Sequence, residues 1–212
     1  MEKRIIKAII AERQREISNI QLVKRPIYFE EQANYVLVGI RRAGKSYQMY
    51  QDIQNLIESG KATIEDCLYI NFEDERISSI SSSELGLLLE CYAEMYDNRT
   101  PLIYLDEIQN IAEWEKAVNS LSQDYTEDCE IVITGSNSKM LSSQLSTLLS
   151  GRYIEFKVFP FNIEEYALIS ERNVNKDTYM EFLKSGGFPE LFHLNNFETK
   201  RNLFLLSKIP SC

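Results

Sequence analysis

Four short apolar runs recur along the chain, and the stretches between them carry apolar residues at helical spacing. The runs occupy residues 35–38, 67–72, 102–105 and 131–134. Their length and continuous apolar character are typical of strands buried on both faces of a sheet. Helices are predicted over 46–59, 80–96 and 114–121, the second with a serine cap near Glu84. We therefore expect an α/β fold of three layers, α/β/α, around a central and mainly parallel sheet.

The two ends of the chain predict helices and no further strand. Near the start, Ile5, Ile6, Ile9 and Ile10 recur at helical spacing among charged residues, which favours an amphipathic helix docked on the core over a signal peptide or membrane span. After Phe159 the pattern predicts helices over 161–166 and 176–184, with Pro160 as a natural boundary. The expected division is a core over 1–158 and a small helical, lid-like segment over 159–212.

Composition and charge exclude several classes of protein. The 212 residues suit one domain with a small appendage, and the net charge of -9 argues against a broad nucleic-acid or acidic-membrane surface. Four widely spaced cysteines accompany a single histidine, so a structural zinc site is not expected. Reduced thiols and a cytoplasmic location are the simpler interpretation.

The segment Gly39-Ile40-Arg41-Arg42-Ala43-Gly44-Lys45-Ser46 follows the first apolar run and precedes a predicted helix. Its spacing is G-x-x-x-x-G-K-[ST], in which backbone N–H groups wrap a polyphosphate, the lysine reaches the β and γ phosphates, and the hydroxyl serves Mg²⁺. The helix that follows directs its positive end at the same anion. The alternative is a glycine-rich turn with a surface lysine. Candidate nucleotide-binding residues are Gly39, Arg42, Ala43, Gly44, Lys45, Ser46 and Tyr47, and Arg41 is a weaker candidate for a phosphate or partner contact.

An acidic pair, Asp106 and Glu107, closes the third apolar run. Ligands of open α/β sheets bind at the carboxyl ends of the strands. There Asp106 is positioned to hold Mg²⁺, directly or through water, together with Ser46. Glu107 is then the candidate general base that polarises the attacking water. The alternative is a solvated helix start whose acidic side chains complement the helix dipole.

Two further positions are candidates for catalysis. Ser136 or Asn137 follows the fourth run and is able to contact the γ-phosphate or the attacking water; a plain polar turn is the alternative. Arg152 follows a predicted short helix that ends at Leu148-Leu149-Ser150. It is a candidate to stabilise transition-state charge in its own site or in a neighbour's, or else a helix-end or surface arginine.

These segments together resemble the AAA+ superfamily of P-loop ATPases, and specifically the prokaryotic AAA-domain ATPases that usually carry a separate C-terminal domain. The resemblance rests on six segments in family order: 39–46, 71–76, 105–109 with Trp114, 134–138, 149–152 and 186–190. It places Lys45 and Ser46 in Walker A, Asp106 and Glu107 in Walker B, Ser136 near sensor 1 and Arg152 at a finger-like position. It also implies adenine rather than guanine recognition. Since family members usually continue well beyond Gly186–Glu190, we expect the lid-like segment to be incomplete here.

The leading functional hypothesis is an ATPase that hydrolyses ATP to ADP and phosphate with Mg²⁺ and uses the cycle to drive a conformational change. A nucleotide-binding regulatory module with little or no hydrolysis is the alternative. A P-loop kinase is less favoured, since a water-activating carboxylate beside the metal ligand favours hydrolysis. The expected ligands are ATP and ADP, and further copies of the chain are a candidate partner. No membrane partner is expected, and the charge gives nucleic acid no support.

Overall fold

The computed structural model describes residues 2–30, 33–97, 99–124, 130–136 and 151–189. The chain divides into two compact units: Met1–Val38 with Ser46–Lys157, and Gly39–Lys45 with Val158–Cys212. The strands are β1 Asn34–Gly39, β2 Cys67–Asn71, β3 Leu102–Asp106, β4 Ile131–Ser136 and β5 Tyr153–Lys157. The helices are α1 Lys3–Asn19, α2 Lys45–Glu58, α3 Leu85–Met95, α4 Trp114–Asp124, α5 Ile163–Ile169 and α6 Lys176–Ser185.

The five strands form one sheet in the order β2-β3-β4-β1-β5. The pairs β2–β3, β3–β4 and β1–β5 are parallel. Because the strands run the same way, their carboxyl ends lie along one edge of the sheet. Asn71 and Asp106 stand opposite each other at that edge.

Helices cover both faces of the sheet. Alternate strand residues such as Val36, Ile70 and Leu105 join one buried core to which α1, α3 and α4 contribute. The other face packs against α2, where the Tyr50 ring meets Tyr69 edge-on with centroids 5.0 Å apart. This arrangement confirms the predicted three-layer α/β/α fold.

The amino-terminal helix α1 docks on the core as its pattern predicts. Its buried face carries Ile6, Ile9, Ile10 and Ile17. Gln14 lies on the same face, and both polar atoms of its side chain form hydrogen bonds. Its amide N–H donates to the Cys67 carbonyl at 2.9 Å, and its oxygen accepts from the Tyr96 hydroxyl. A buried amide that finds both partners costs little and fixes the helix in one orientation.

The cap predicted near Glu84 is confirmed, since the helix within 80–96 begins at Leu85 with Glu84 as its N-cap. Ser81 and Glu84 cap each other around a 3-10 turn at Ser82–Glu84 just before it. One strand, however, was not predicted. The strand β5 has no counterpart among the predicted strands. It lies at the edge of the sheet and carries Glu155 and Lys157 among partly exposed positions, so it lacks the continuous apolar run of the buried strands.

The second unit contains α5 and α6. Asn162 caps α5, accepting from the Glu165 N–H at 2.8 Å, and therefore the helix predicted over 161–166 begins two residues later at Ile163. Gly187 lies against the backbone of Phe161, whose N–H donates to the Gly187 carbonyl at 2.7 Å. A Cβ at Gly187 would stand 2.1 Å from the Phe161 carbonyl oxygen, so only glycine fits.

The expected division into 1–158 and 159–212 stays a prediction, as does the lid-like role of the later segment. The helix predicted to end at Leu148-Leu149-Ser150 lies outside the described residues, as does Glu190. Within the part of the chain that the structure describes, no helix is long and apolar enough to cross a membrane.

Candidate functional site

The phosphate-loop motif connects β1 to α2. Lys45 opens α2 and is only 4% exposed, so it is not the surface lysine of the alternative interpretation. Its ammonium group folds back over the loop and donates to the carbonyls of Gly39 at 3.2 Å and Ile40 at 3.3 Å. The Ala43 N–H also bonds to the Ile40 carbonyl at 3.2 Å. The loop is thus a tight turn with its lysine directed inward.

The two glycines of the motif are required for different reasons. A Cβ at Gly39 would lie 2.2 Å from the Val158 carbonyl oxygen, so a side chain there collides with backbone. Gly44 has φ +96°, a conformation that side chains with a Cβ rarely adopt. Arg42 also has a positive φ, 66°. The chain therefore curls as a phosphate cradle requires.

The remaining loop candidates differ in exposure. Ala43 is buried and Arg42 is partly buried, whereas Arg41 is exposed. Ser46 is partly buried in the first turn of α2, and Tyr47 beside it is about half exposed. Their contacts with nucleotide stay predictions.

The acidic pair lies at the carboxyl edge of the sheet and is buried. Asp106 is 0% exposed and Glu107 is 8% exposed, so the alternative of a solvated helix start is wrong. Three side chains donate to the Asp106 carboxylate: Tyr69 to Oδ2 at 2.6 Å, Asn71 to Oδ2 at 3.2 Å, and Thr134 to Oδ1. A buried carboxylate needs such donors to remain in one orientation.

Glu107 holds a left-handed backbone conformation, with φ 53° and ψ 44°. This conformation costs a residue with a side chain about 1 kcal/mol or more, and its presence at a candidate catalytic position is a pointer to function. The Glu107 N–H donates to the Thr134 hydroxyl at 3.0 Å, and the Glu107 carboxylate accepts from the amide of Gln109. Hydrogen bonds thus hold both the backbone and the side chain of Glu107.

Burial, and next the charge of Asp106, raises the pKa of Tyr69 well above its ordinary value. The phenol therefore keeps its proton and remains a donor to Asp106 at any physiological pH. Burial also raises the pKa of Tyr50, to about 12. Tyr69 lies on the sheet face that α2 covers, and Tyr50 is the α2 residue that packs against it.

The structure describes fewer contacts for the other candidate residues, Ser136, Asn137 and Arg152. Ser136 ends β4, while its side chain and Asn137 lie outside the described residues. Arg152 is exposed and directly precedes β5, and its carbonyl accepts from the Asn34 amide at 3.4 Å. Their assigned roles in catalysis stay predictions.

Sequence reasoning missed Tyr69, Asn71 and Thr134 as partners of the acidic pair. The available signal was strand periodicity: Tyr69 and Asn71 are two apart on β2, and both lie on the same face as Asp106. Recognising it required the strand order and register, which the sequence alone does not supply.

The donor set at the carboxyl edge of the sheet suits magnesium. Among the described residues no three His, Cys, Asp or Glu side chains gather into a cluster that could hold a metal ion. One carboxylate from Asp106 and one hydroxyl from Ser46 are what Mg²⁺ uses when phosphate oxygens and water complete its shell. The residues present therefore fit a magnesium ion that arrives with a nucleotide.

Two relatives of known sequence are similar to most of this chain. An uncharacterized protein of Methanocaldococcus jannaschii is 34% identical over an alignment of 179 residues that covers 79% of this chain and 38% of that protein. An uncharacterized protein of Haemophilus influenzae is 37% identical over 165 residues, covering 74% of this chain and 39% of that protein. The chain thus spans less than two fifths of the length of these relatives.

Solved structures share the fold at low sequence identity. The ORC1 protein of Aeropyrum pernix, solved in complex with DNA, aligns with a TM-score of 0.53 at 13% identity, covering 99% of this chain and 61% of its own. A RuvB variant of Thermotoga maritima aligns with a TM-score of 0.50 at 14% identity, covering 97% and 62%. A family model described as an AAA domain, AAA_14, matches residues 31–167. With that match over most of the described sheet, the chain belongs to the AAA_14 family of AAA domains, within the AAA+ superfamily of P-loop ATPases.

Proposed function

We propose that this AAA domain binds ATP with Mg²⁺, hydrolyses it to ADP and phosphate, and uses the cycle to drive a conformational change. The family supports nucleotide binding, since AAA+ proteins are generally ATPases. The observation that carries hydrolysis is the buried Asp106–Glu107 pair at the carboxyl end of β3. In the strand order, β3 is separated from β1, the strand that leads into the phosphate loop, only by β4.

Nucleotide binding falls to the loop. Its backbone N–H groups and Lys45 hold the phosphates, with Gly39, Arg42, Ala43, Gly44 and Tyr47 as further contacts. Ser46 and Asp106 would hold Mg²⁺, which would supply positive charge to neutralise the phosphates. The inward position of Lys45 supports this assignment, because its ammonium already lies over the turn that wraps the anion.

Hydrolysis falls to Glu107. Its carboxylate orients a water whose oxygen attacks the γ-phosphorus; the bond to the β–γ bridging oxygen breaks, ADP leaves with that electron pair, and Glu107 accepts the water proton. Ser136 contacts the γ-phosphate or the water. Arg152 stabilises the charge of the transition state in its own site or in a neighbouring copy, which would make a homo-oligomer the active form.

The partner on which the ATPase cycle acts is a separate question from the ligand of the site. The solved ORC1 neighbour was in complex with DNA, but the net charge of -9 gives DNA no support as a partner of this chain. We propose ATP and ADP as the ligands, with further copies of the chain as the favoured protein partner.

The test is the Glu107→Gln variant. The amide keeps the shape of the side chain but accepts no proton, so we expect ATP affinity within about 3-fold of the original protein and phosphate release reduced by about 100-fold or more. Calorimetry with ATP and Mg²⁺ measures the first, and a phosphate-release assay the second. Glu90→Gln, which changes an exposed carboxylate on α3, serves as the matched control.

Each other outcome contradicts a different part of the proposal. Unchanged turnover in Glu107→Gln would refute the assignment of the general base. Tight ATP binding by the original protein without phosphate release above background would favour the alternative, a nucleotide-binding regulatory module. Loss of ATP without free phosphate, dependent on an added acceptor, would indicate a kinase.

A further inference from the structure

Both oxygens of the Asp106 carboxylate are engaged by side chains from neighbouring strands. Tyr69 and Asn71 on β2 donate to Oδ2 at 2.6 and 3.2 Å, and Thr134 on β4 donates to Oδ1. The carboxylate is thus braced from both sides of β3. Rotation about its side-chain bonds would break at least one of these hydrogen bonds.

The Thr134 hydroxyl contacts both residues of the acidic pair. A hydroxyl has one proton to donate and lone pairs to accept with. Thr134 donates its proton to Asp106 and accepts the N–H of Glu107 at 3.0 Å. One oxygen atom therefore contacts both the side chain of the proposed metal ligand and the backbone of the proposed general base.

Strand register explains why Thr134 reaches this position. Leu105 stands opposite Ile133 in the β3–β4 pair, so the next step along each strand places Asp106 opposite Thr134. The side chain is 0% exposed. Because solvent does not replace a lost hydrogen bond at such depth, removing the Thr134 hydroxyl would take a hydrogen bond from the Glu107 N–H and another from Asp106.

We propose that Thr134 is a positioning residue for the Asp106–Glu107 pair, setting the carboxylate of Asp106 toward Mg²⁺ and holding Glu107 in its left-handed conformation. The inference rests on the proposed function of that pair. On the other side of β3, the Tyr69 hydroxyl holds the second oxygen of the Asp106 carboxylate. Thr134 itself touches neither nucleotide nor metal and acts only through its two neighbours.

The experiment compares Thr134→Val with Thr134→Ser. Valine keeps the shape and removes both hydrogen bonds, whereas serine keeps the hydroxyl. The matched control is Thr178→Val, another buried threonine, whose hydroxyl donates to the Asn173 carbonyl in the second unit. The readouts are kcat and KM for ATP, the Mg²⁺ concentration at half-maximal rate, and ATP affinity by calorimetry with and without Mg²⁺.

We expect Thr134→Val to lower kcat by about 10- to 100-fold and to raise the half-saturating Mg²⁺ concentration, as losses of residues that orient metal ligands do. ATP affinity without Mg²⁺ should stay within about 2-fold, and serine should restore most of the rate. An unchanged kcat and Mg²⁺ dependence in Thr134→Val would overturn the proposal. An equal loss of affinity with and without Mg²⁺ would also overturn it, by indicating a merely structural role.

Failure of the proposed function is distinguishable from failure of this inference. If the original protein releases no phosphate, hydrolysis is refuted, and the inference is judged by the Mg²⁺-dependent part of ATP affinity alone. A reduction of that part in Thr134→Val, restored in Thr134→Ser, supports the positioning role. No reduction, or no Mg²⁺ dependence in the original protein, refutes it.

Discussion

Replacing Asp52 by asparagine is expected to stabilise the protein at neutral pH. Asp52 lies on α2, and its carboxylate accepts the Tyr104 hydroxyl at 2.8 Å beneath the helix. Burial raises the pKa of this carboxyl from 3.8 to about 6; the Tyr104 hydrogen bond opposes the rise, and the nearby Glu130 charge adds to it. Asparagine keeps an oxygen that accepts from Tyr104 and removes the buried charge.

The size of the effect follows from linkage. The folded pKa is above the unfolded pKa, so folding takes up a proton between pH 3.8 and about 6, and stability is lost as the pH rises through this window. A difference of about 2 units at 1.36 kcal/mol each sets a ceiling of about 3 kcal/mol above pH 7. Because the side chain is only partly buried by surface area, we expect a gain of about 1–2 kcal/mol at pH 7.5, falling to about half of that near pH 5.

Urea unfolding at several pH values between 5 and 8 measures the free energy of unfolding of both proteins. Asp74→Asn is the control, and we expect it to lower the free energy of unfolding. Hydrogen bonds with Arg76 lower the pKa of Asp74, so removing this charge should destabilise the fold. The reasoning is refuted if Asp52→Asn shows no gain at pH 7.5, or if its difference from the original protein does not shrink toward pH 5.

Three further variants test the packing described above. Gly39→Ala should weaken ATP binding, measured by calorimetry, by at least about 10-fold, because the added Cβ would lie 2.2 Å from the Val158 carbonyl oxygen. An ATP affinity equal to that of the original protein would contradict the cradle geometry. Tyr96→Phe should lower the free energy of unfolding in urea by about 1–2 kcal/mol, because it leaves the buried Gln14 oxygen without its donor, and a neutral effect would show that this contact is not needed. Asn162→Ala should cost about 1 kcal/mol by removing the cap of α5, measured by thermal unfolding, and an unchanged midpoint would show that the cap does not stabilise the fold.

The buried strands were predictable because each is a continuous apolar run. Cys67–Asn71 and Leu102–Asp106 are both covered by helices on two faces. Because both faces are buried, almost every position in these strands is apolar. The edge strand Tyr153–Lys157 has the opposite character: solvent accepts its charged side chains, so its sequence resembles that of a loop. Strand prediction therefore depended on burial more than on backbone geometry.

The candidate site was predictable only where its chemistry depends on neighbouring residues in the chain. The phosphate loop requires its glycines and lysine at fixed spacing, and the acidic pair consists of adjacent residues, so both were found. Thr134 contacts Asp106 from 28 positions away, and Tyr69 contacts it from 37 positions away. Such partners are set by strand order and register, which no local pattern in a single sequence records.

The docking of α1 also has a consequence for synthesis on the ribosome. This helix is synthesised before the residues it packs against, since its Gln14 bonds to Tyr96, 82 positions later, and its Lys3 pairs with Glu90, 87 positions later. At ordinary elongation rates, the helix waits on the order of 4 to 16 seconds before its docking surface exists. During that interval the row formed by Ile6, Ile9, Ile10 and Ile17 lacks the surface that buries it in the folded chain, and transiently exposed apolar surface of this kind promotes aggregation.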